Sequence, residues 1–347
     1  MKPHQSSRPL RAGVIGLGAM GRHHVRVYND LPSVQLAAVA DVSPDAVNRM
    51  VGQFGIEGFT DIDRCLEQAD LDLVSIVVPT SLHYAVVLKA IARGIHVLVE
   101  KPIASTVDEA HDMIDAARAA NVRLMVGHIE RFNPAIIELK RRLHQVGTIF
   151  QVSARRVGPF PDRIRDVGVV VDLATHDIDA MNFILDSPVE SLYAQTAQRI
   201  HTSHEDMVLG TLRFANGAIG ALDVNWLTAT KIRQLTVAGS GGTFIADYLT
   251  QDLAFFENGS MTSDWQDFRQ LQKISEGNAI RYAFKKEEPL KAELGAFVQA
   301  IASDRPVPST PEDATAALSI AEALIESGRT GEIVSPLIIA ESSRLVV

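Results

Sequence analysis

Three short stretches of the chain combine residue types and spacings that suit chemistry. The first, Gly16-Leu17-Gly18-Ala19-Met20-Gly21, follows an apolar run and precedes Arg22 to Asn29, which can be helical. Glycines at this spacing permit a tight turn and a close backbone approach, and the next helix directs its N-terminal amides at a pyrophosphate. The stretch therefore predicts a dinucleotide-binding loop.

An acidic residue follows at the distance that such a loop requires. Asp41 ends the apolar run Ala37 to Ala40 and lies 25 positions after Gly16. Its carboxylate can accept hydrogen bonds from both ribose hydroxyls and would repel a 2′-phosphate. The pattern favours NAD over NADP. The alternative is a turn without a ligand, in which Asp41 caps the segment before Pro44.

The second stretch is Glu100-Lys101-Pro102, directly after the apolar run His96 to Val99. This order places Lys101 at the carboxyl edge of a predicted parallel strand, where such sheets bind ligands. A partly desolvated ammonium there could bind a substrate hydroxyl and favour a developing alkoxide. The alternative is a surface lysine paired with Glu100.

The third stretch, Asp172 to Asp179, has helical periodicity. Asp172, His176 and Asp179 follow one face at i, i+4 and i+7. An apolar stripe on another face consists of Ala174, Ile178, Met181 and Leu185. Histidine is a natural proton acceptor for an alcohol that loses hydride, and a carboxylate one turn away would orient it. The alternative is a solvated helix face.

Two patterns of elements must position these stretches. Between residues 12 and 127, short apolar runs alternate with helix-like segments, which predicts a parallel, doubly wound sheet. The predicted strands are Gly13 to Ile15, Leu36 to Ala40, Leu73 to Val78, Val97 to Val99 and Leu124 to Val126. Helices are predicted after Ser43-Pro44, around Val86 to Ile91 and from Asp108 to Ala120.

Beyond residue 148, strand-like segments dominate and predict a large, mostly antiparallel, open-faced sheet. They are Ile149 to Val157, Val189 to Gln195, Val208 to Phe214, Ala218 to Val224, Ile232 to Ala238 and Leu253 to Phe256. Turn signals at Ala215-Asn216-Gly217 and Gly239 to Gly242 predict hairpins. We expect helices around Leu290 to Ala302 and Ala314 to Glu326. The expected domains are residues 1–127, an α/β Rossmann domain, and residues 128–347, an α+β domain.

Composition excludes several classes of protein. The 347 residues include 33 Lys and Arg against 42 Asp and Glu, and the net charge of −9 disfavours nucleic-acid binding. No apolar stretch has the length of a membrane span. Residues 1–10 are expected to be a tail, and the single cysteine, Cys65, fits a reducing compartment, so we expect a cytoplasmic protein. His23-His24 and His201-x-x-His204 lack further convergent ligands, so no metal is expected.

Taken together, these motifs resemble the glucose-fructose oxidoreductase, inositol dehydrogenase and MocA family over essentially the whole chain. The Pro79-Thr80-x-x-His83 segment adds to the resemblance. The family resemblance implies a nicotinamide-binding domain, a sheet used for oligomerisation, and a catalytic trio of Lys101, Asp172 and His176. Glu100 belongs to the cofactor-binding set, and Pro79, Thr80 and His83 would line the nicotinamide side. The stretch Asp166 to Val171 has fewer glycines than in many members, which puts the loop shape near the substrate in doubt.

Two further stretches resemble a narrower group, the UDP-N-acetylglucosamine 3-dehydrogenases. The first is Gly127 to Pro134, in which Arg131 and Asn133 either contact the sugar or open the helix after Pro134. The second, Arg155 to Asp166, holds four arginines in eleven residues. A diphosphate would need such a cluster, and Arg156 and Arg163 are its expected ligands. The alternative is surface arginines paired with Asp162 and Asp166.

The sequence thus predicts NAD-dependent oxidation of UDP-N-acetylglucosamine to its 3-keto form. One alternative is the same chemistry on inositol or free glucose, and another is a nicotinamide-binding regulator without activity. The expected partners are a small nucleotide sugar and further copies of the chain, in a homodimer or homotetramer.

Overall fold

A six-stranded parallel sheet organises the first of two compact units in the computed structural model, which describes residues 8–161, 167–259 and 276–336. Its strand order is β3-β2-β1-β4-β5-β6. The strands are β1 (Leu10–Ile15), β2 (Val34–Ala40), β3 (Glu57–Phe59), β4 (Leu73–Ile76), β5 (His96–Glu100) and β6 (Leu124–Gly127). The order changes direction between β1 and β4, and doubly wound sheets bind ligands outside the carboxyl ends of strands at such a point.

Five helices connect these strands, and their ends follow the local sequence. They are α1 (Ala19–Asp30), α2 (Pro44–Phe54), α3 (Ile62–Gln68), α4 (His83–Ile91) and α5 (Val107–Ala119). The Ser43 side chain caps α2 by accepting a hydrogen bond from the Ala46 amide, and Gly55 ends that helix in the left-handed conformation. The predicted stripe on α4 is confirmed, because Val86 and Val87 are buried together with Ala90 and Ile91. Cys65 is buried within α3, and burial raises the pKa of its thiol to about 12.

The second unit is built on an eight-stranded sheet with the order β14-β13-β12-β11-β7-β10-β9-β8. Its strands are β7 (Ile149–Val157), β8 (Val189–Ala197), β9 (Met207–Phe214), β10 (Ile219–Asn225), β11 (Ile232–Gly239), β12 (Gly242–Asp247), β13 (Asp252–Asn258) and β14 (Glu276–Tyr282). Neighbouring strands pair antiparallel except β7 and β10, which are parallel. The predicted fold class and both predicted hairpins are confirmed. Helices α6 (Pro134–Arg142) and α7 (Thr175–Leu185) belong to the same unit.

The C-terminal helices are divided between the two compact units. Helices α8 (Pro289–Ala302) and α9 (Pro311–Thr330) follow the last strand, and the segment 288–318 joins residues 1–129 in the first unit. Ala314 and Leu318 lie in the same apolar core as β4 and β5, and Val126 of β6 donates a backbone hydrogen bond to Ser309. Of the residues that the structure describes, the second unit therefore comprises 130–161, 167–259, 276–287 and 319–336. Among the described residues, no helix is both long and apolar enough to cross a bilayer.

Candidate active site

The glycine loop between β1 and α1 has the geometry of an anion cradle. Gly16 adopts a φ of +93°, and a β-carbon there would collide with the carbonyl oxygen of Val77. A β-carbon on Gly21 would likewise collide with the Gly16 carbonyl. Gly18 instead faces open space and caps α1 without any side-chain hydrogen bond. The fold thus requires two of the glycines, and the third leaves the N-terminal amides of α1 accessible, which fits a dinucleotide diphosphate.

Asp41 lies at the carboxyl end of β2 and braces this loop. One carboxylate oxygen accepts a hydrogen bond from the Leu17 amide at 2.6 Å, and the other accepts one from the Ser43 amide at 2.8 Å. The side chain is partly exposed. A carboxylate has about four lone-pair sites, so acceptor capacity remains for ribose hydroxyls. Asp41 therefore caps the local turn, while its contact with a ribose and its role in cofactor choice stay predictions.

His83 has a different position from the expected one. Its buried ring lies between two carbonyl oxygens, with Nδ1 2.8 Å from Pro102 O and Nε2 2.9 Å from Val78 O. Burial lowers the pKa of His83, and the hydrogen bonds to these carbonyls oppose that shift. The ring thus ties the segment after β4 to the segment after β5. We correct the expectation that His83 lines the cofactor side: it positions Pro79 and Thr80, which are at least partly exposed beyond β4.

Lys101 follows β5 directly, as predicted, and a buried pair supports it. The Glu100 carboxylate lies 3.0 Å from Nε2 of the fully buried His24 and accepts a hydrogen bond from the Lys101 amide at 3.3 Å. A β-carbon on Gly127 would lie 3.1 Å from this carboxylate, so glycine leaves room for it. Burial alone would raise the pKa of Glu100, but His24 and the charge of Lys101 outweigh it and hold the pKa below its ordinary value. The supporting role of His24 was not predicted, although its position on the inner face of a predicted helix was a usable signal.

Asp172 and His176 lie on the same helical segment, but a wider turn separates them than predicted. Residues Val170–Ala174 form a π-helical turn, and α7 begins at Thr175. Both side chains are partly exposed. Such turns occur frequently at functional sites. The expected α-helical spacing is corrected accordingly, since a π turn is closed by hydrogen bonds between residues i and i+5 instead of i and i+4, here from the Thr175 amide to the Val170 carbonyl.

Glu205 anchors the start of this helix, a feature that the sequence did not reveal. Its carboxylate accepts a hydrogen bond from the Val170 amide at 3.1 Å, and its backbone carbonyl accepts one from the Val169 amide at 2.9 Å. A β-carbon on Gly168 would collide with the same carboxylate. Gly168 thus allows the anchor to approach closely, which is its role in the otherwise valine-rich stretch.

Arg156 does not present its guanidinium to a ligand. Its side chain is 1% exposed. Nε and Nη2 donate to Asp177 at 2.6 and 3.1 Å, and Nη1 donates to Glu130 at 3.0 Å. Burial raises the pKa of Asp177 despite its arginine partner. The expectation that Arg156 binds a diphosphate is therefore corrected: it holds α7 against β7 through the residue that follows His176.

Arg131 and Asp179 form a second buried ion pair on the same helix. Nε and Nη2 of Arg131 donate to the two Asp179 oxygens at 2.8 and 2.6 Å. The alternative of a solvated helix face therefore does not hold at Asp179, which is buried. Nor does Arg131 lie at the surface to contact a sugar, since it is 6% exposed.

Asn133 has the helix-opening role that the sequence left open. Its side-chain oxygen accepts a hydrogen bond from the Ala135 amide at 3.1 Å and so caps α6. Its amide group donates to the Tyr248 carbonyl at 3.1 Å. Because the residue is buried, we correct its expected contact with substrate. Arg163, the remaining expected diphosphate ligand, lies outside the described residues.

The histidine pairs do not converge on further ligands. His23 is exposed, whereas His24 is buried against Glu100. Nδ1 of His201 accepts hydrogen bonds from the Ser203 and His204 amides, each at 3.0 Å. Within the described ranges, no group of three or more His, Cys, Asp and Glu side chains could hold a metal ion.

Comparison with known proteins adds independent information. Residues 10–128 match the model of an oxidoreductase family with an NAD-binding Rossmann fold, and residues 147–335 match the C-terminal α/β domain of that family. UDP-N-acetylglucosamine 3-dehydrogenase of Acidithiobacillus ferrooxidans is 30% identical over 86% of this chain and 90% of its own length. Myo-inositol 2-dehydrogenase of Thermotoga maritima is 27% identical over 92% of this chain and 96% of its own length.

Solved structures show the same fold. The structure of the Acidithiobacillus ferrooxidans enzyme superposes with a TM-score of 0.82 at 28% identity, covering 92% of this chain and 97% of that chain. A dehydrogenase from Bordetella pertussis, solved with NADH and UDP-GlcNAcA, superposes with a TM-score of 0.80 at 23% identity, covering 96% of this chain and all of that chain.

Proposed function

Because the chain belongs to the glucose-fructose oxidoreductase, inositol dehydrogenase and MocA family, we propose that it oxidises UDP-N-acetylglucosamine at the sugar 3-hydroxyl. The coarser activity follows from the family: the protein is an NAD-binding oxidoreductase that acts on a CH–OH group of a sugar or polyol. The relative from Acidithiobacillus ferrooxidans supports the finer assignment. The expected homodimer or homotetramer in the cytoplasm remains part of the proposal.

The observation that carries the chemistry is the placement of Asp172 and His176 at a braced π turn. Two buried ion pairs, from Arg156 to Asp177 and from Arg131 to Asp179, fix the helix directly after His176. A general base must hold its orientation within a narrow range, and rigid elements provide this.

The proposed reaction removes the two hydrogens of a secondary alcohol. When bound, NAD supplies the hydride acceptor, so the carbinol C–H bond breaks with its electron pair. His176 accepts the hydroxyl proton, Asp172 orients the imidazole and stabilises its charged form, and the Lys101 ammonium stabilises the developing alkoxide. The products are the ketone, the reduced cofactor and the protonated imidazole, which then releases its proton to solvent.

A second candidate, oxidation of a neutral polyol, is favoured by one observation. Arg156, an expected diphosphate ligand, is already paired with Asp177 and Glu130 and is not presented to an anion. An inositol would need no such ligand, and an inositol dehydrogenase is among the relatives of this chain.

A substrate panel separates the two candidates. The purified protein is incubated with NAD and either UDP-N-acetylglucosamine, myo-inositol or glucose, and the absorbance of the reduced cofactor is followed. We expect turnover with the nucleotide sugar. Turnover with myo-inositol or glucose and none with UDP-N-acetylglucosamine would contradict the proposal and favour a dehydrogenase of neutral polyols or free sugars.

A further inference from the structure

The inner face of the large sheet carries an arginine that the sequence analysis did not single out. Arg233 on β11 lies directly opposite Arg156 on β7. Residues opposite each other in an antiparallel pair project from the same face of the sheet. Arg156 reaches toward α7 through Asp177, so Arg233 projects toward the same helix. The buried Leu235 and Val237, which alternate with Arg233 along β11, mark this face as the inner one.

The side chain of Arg233 differs from that of Arg156 in having no partner. Although Arg233 is partly buried, its guanidinium makes no hydrogen bond or ion pair with any residue in the described part of the chain. Arg156, in contrast, is held by two carboxylates. Buried cations are normally paired, because desolvation of an unpaired charge is costly. Two arginines placed directly opposite also repel each other, which makes the retention of Arg233 unfavourable for the fold alone.

Lys231 adds a second cation on the same side. It lies one position before β11 and is exposed, and a β-carbon built on Gly158, the residue after β7, would be 3.8 Å from its Cγ. The charge of Arg233, followed by partial burial and then the charge of Arg156, lowers the pKa of Lys231. Like the Arg233 guanidinium, its ammonium makes no hydrogen bond or ion pair within the described ranges.

The carboxylates facing this pair do not neutralise it. Burial and the charge of Arg156 lower the pKa of Arg233, while Glu130, Asp177 and Asp172 act in the opposite direction without reversing the shift. Glu130 and Asp177 are committed to Arg156. The charge of Asp172 also raises the pKa of Arg233, so Arg233 lies within electrostatic range of the segment that carries Asp172 and His176.

We infer that Arg233 and Lys231 bind a phosphoryl group of the substrate, an inference that rests on the proposed function and identifies the residues that select a nucleotide diphosphate. A guanidinium presents a planar fork of donors that matches phosphate oxygens bidentately, and an ammonium adds a point charge. A neutral sugar has no group that would require the pair. A sugar phosphate or a sugar carboxylate shares part of this chemistry, and the experiment distinguishes these sources.

Direct binding tests the site without requiring turnover. Calorimetry of the NAD-loaded protein measures the affinity for UDP, N-acetylglucosamine 1-phosphate and glucuronate. The variants are Arg233→Met, Arg233→Lys and Lys231→Met. Arg155→Met is the matched control, because Arg155 lies on β7, is exposed and pairs with Asp223. Arg233→Met should weaken UDP binding by about tenfold to a hundredfold, the scale of a charge-assisted contact. Arg233→Lys should recover part of the loss, and Arg155→Met should bind as the wild type does.

Kinetics separates binding from an effect on Asp172. With UDP-N-acetylglucosamine, Arg233→Met should raise KM far more than it lowers kcat, whereas loss of kcat alone would indicate that Arg233 acts through Asp172 and overturn the inference. The variant should melt no lower than the wild type, because a like-charge contact is removed. If the wild type oxidises the nucleotide sugar and Arg233→Met keeps its affinity for UDP, the inference fails and the proposed function stands. If only neutral sugars are oxidised, the proposed function fails. The existence of the anion site is then decided by whether the wild type binds UDP in the calorimeter.

Discussion

The carboxylate of Asp41 accepts a hydrogen bond from the Leu17 amide at 2.6 Å, which joins the end of β2 to the glycine loop. The same side chain accepts a hydrogen bond from the Ser43 amide before α2. Asp41 therefore shapes the loop that we propose holds the diphosphate, and in the same proposal its carboxylate would face the ribose. Loss of the carboxylate should disturb both functions at once.

We predict that Asp41→Ala weakens NAD binding and narrows the preference for NAD over NADP. The preference narrows because the like-charge repulsion of a 2′-phosphate disappears, and NAD binding weakens because the Leu17 amide loses its acceptor. Fluorescence titration with the two reduced cofactors measures both effects. Asp45→Ala, in the first turn of α2, is the control and should change neither. A wild-type preference for NADP would contradict the assignment.

The fold could be predicted to the extent that local signals were strong. The Ser43-Pro44 pair predicted the start of α2, and Asn216-Gly217 predicted the hairpin between β9 and β10. Strand β3 escaped prediction because it has three residues, too few to show a period. Strand β12 was missed because it begins within the glycine turn at Gly239 to Gly242. Strand β14 was missed because polar residues interrupt its apolar pattern. The return of α8 to the first unit depends on long-range packing that no local pattern carries.

The candidate site was predicted unevenly. The glycine loop, Asp41 and the position of Lys101 follow from strand-loop-helix order, which local sequence determines. Arg156 was misread because a cluster of arginines suggests an anion site, whereas burial decides whether the charges are already paired. The alternation of inward and outward side chains along β7 was the available signal for burial, because it places Arg156 on the inner face together with Val152 and Ala154. The same alternation on β11 marks Arg233.

We predict that His176→Ala and Lys101→Ala each lower turnover by about two to four orders of magnitude, the usual scale for an acid-base or electrostatic group. His176→Ala should leave the affinity for NADH almost unchanged. Steady-state rates and NADH titration measure the two effects, with His23→Ala, an exposed position on α1, as the control. Near-native turnover of His176→Ala would show that another group accepts the proton.

The buried pair of Arg156 and Asp177 should matter for stability more than for substrate affinity. Arg156→Met leaves two buried carboxylates without their partner and should lower the free energy of unfolding by about 3 to 5 kcal/mol. The double variant Arg156→Met with Asp177→Leu should recover part of this loss, because one of the orphaned charges is also removed. Urea unfolding measures the free energy of unfolding of the single and the double variant. For the control Arg155→Met, this free energy should be within about 0.5 kcal/mol of the wild-type value. Equal stability of the Arg156→Met variant and the wild type would refute the pairing.

Protonation of the Glu100 carboxylate should make the free energy of unfolding depend on pH in the acidic range. Its folded pKa lies below the ordinary value of 4.5, so the unfolded chain binds this proton more readily. The stabilisation is therefore complete above about pH 4.5 and is lost as the pH falls through the folded pKa. The difference in unfolding free energy between the wild type and Glu100→Gln should be constant from about pH 6 to 8 and shrink toward pH 4. A difference that grows on acidification would mean that Glu100 is not stabilised as its anion.

The most direct test of the central claim locates the carbon that is oxidised. UDP-N-acetylglucosamine is incubated with the protein and NAD, the product is reduced with borodeuteride, and NMR identifies the deuterated carbon. We predict formation of NADH together with deuterium at carbon 3 of the sugar, and loss of both in His176→Ala. Deuterium at another carbon, or NADH formation with myo-inositol or glucose and none with the nucleotide sugar, would contradict the proposed function.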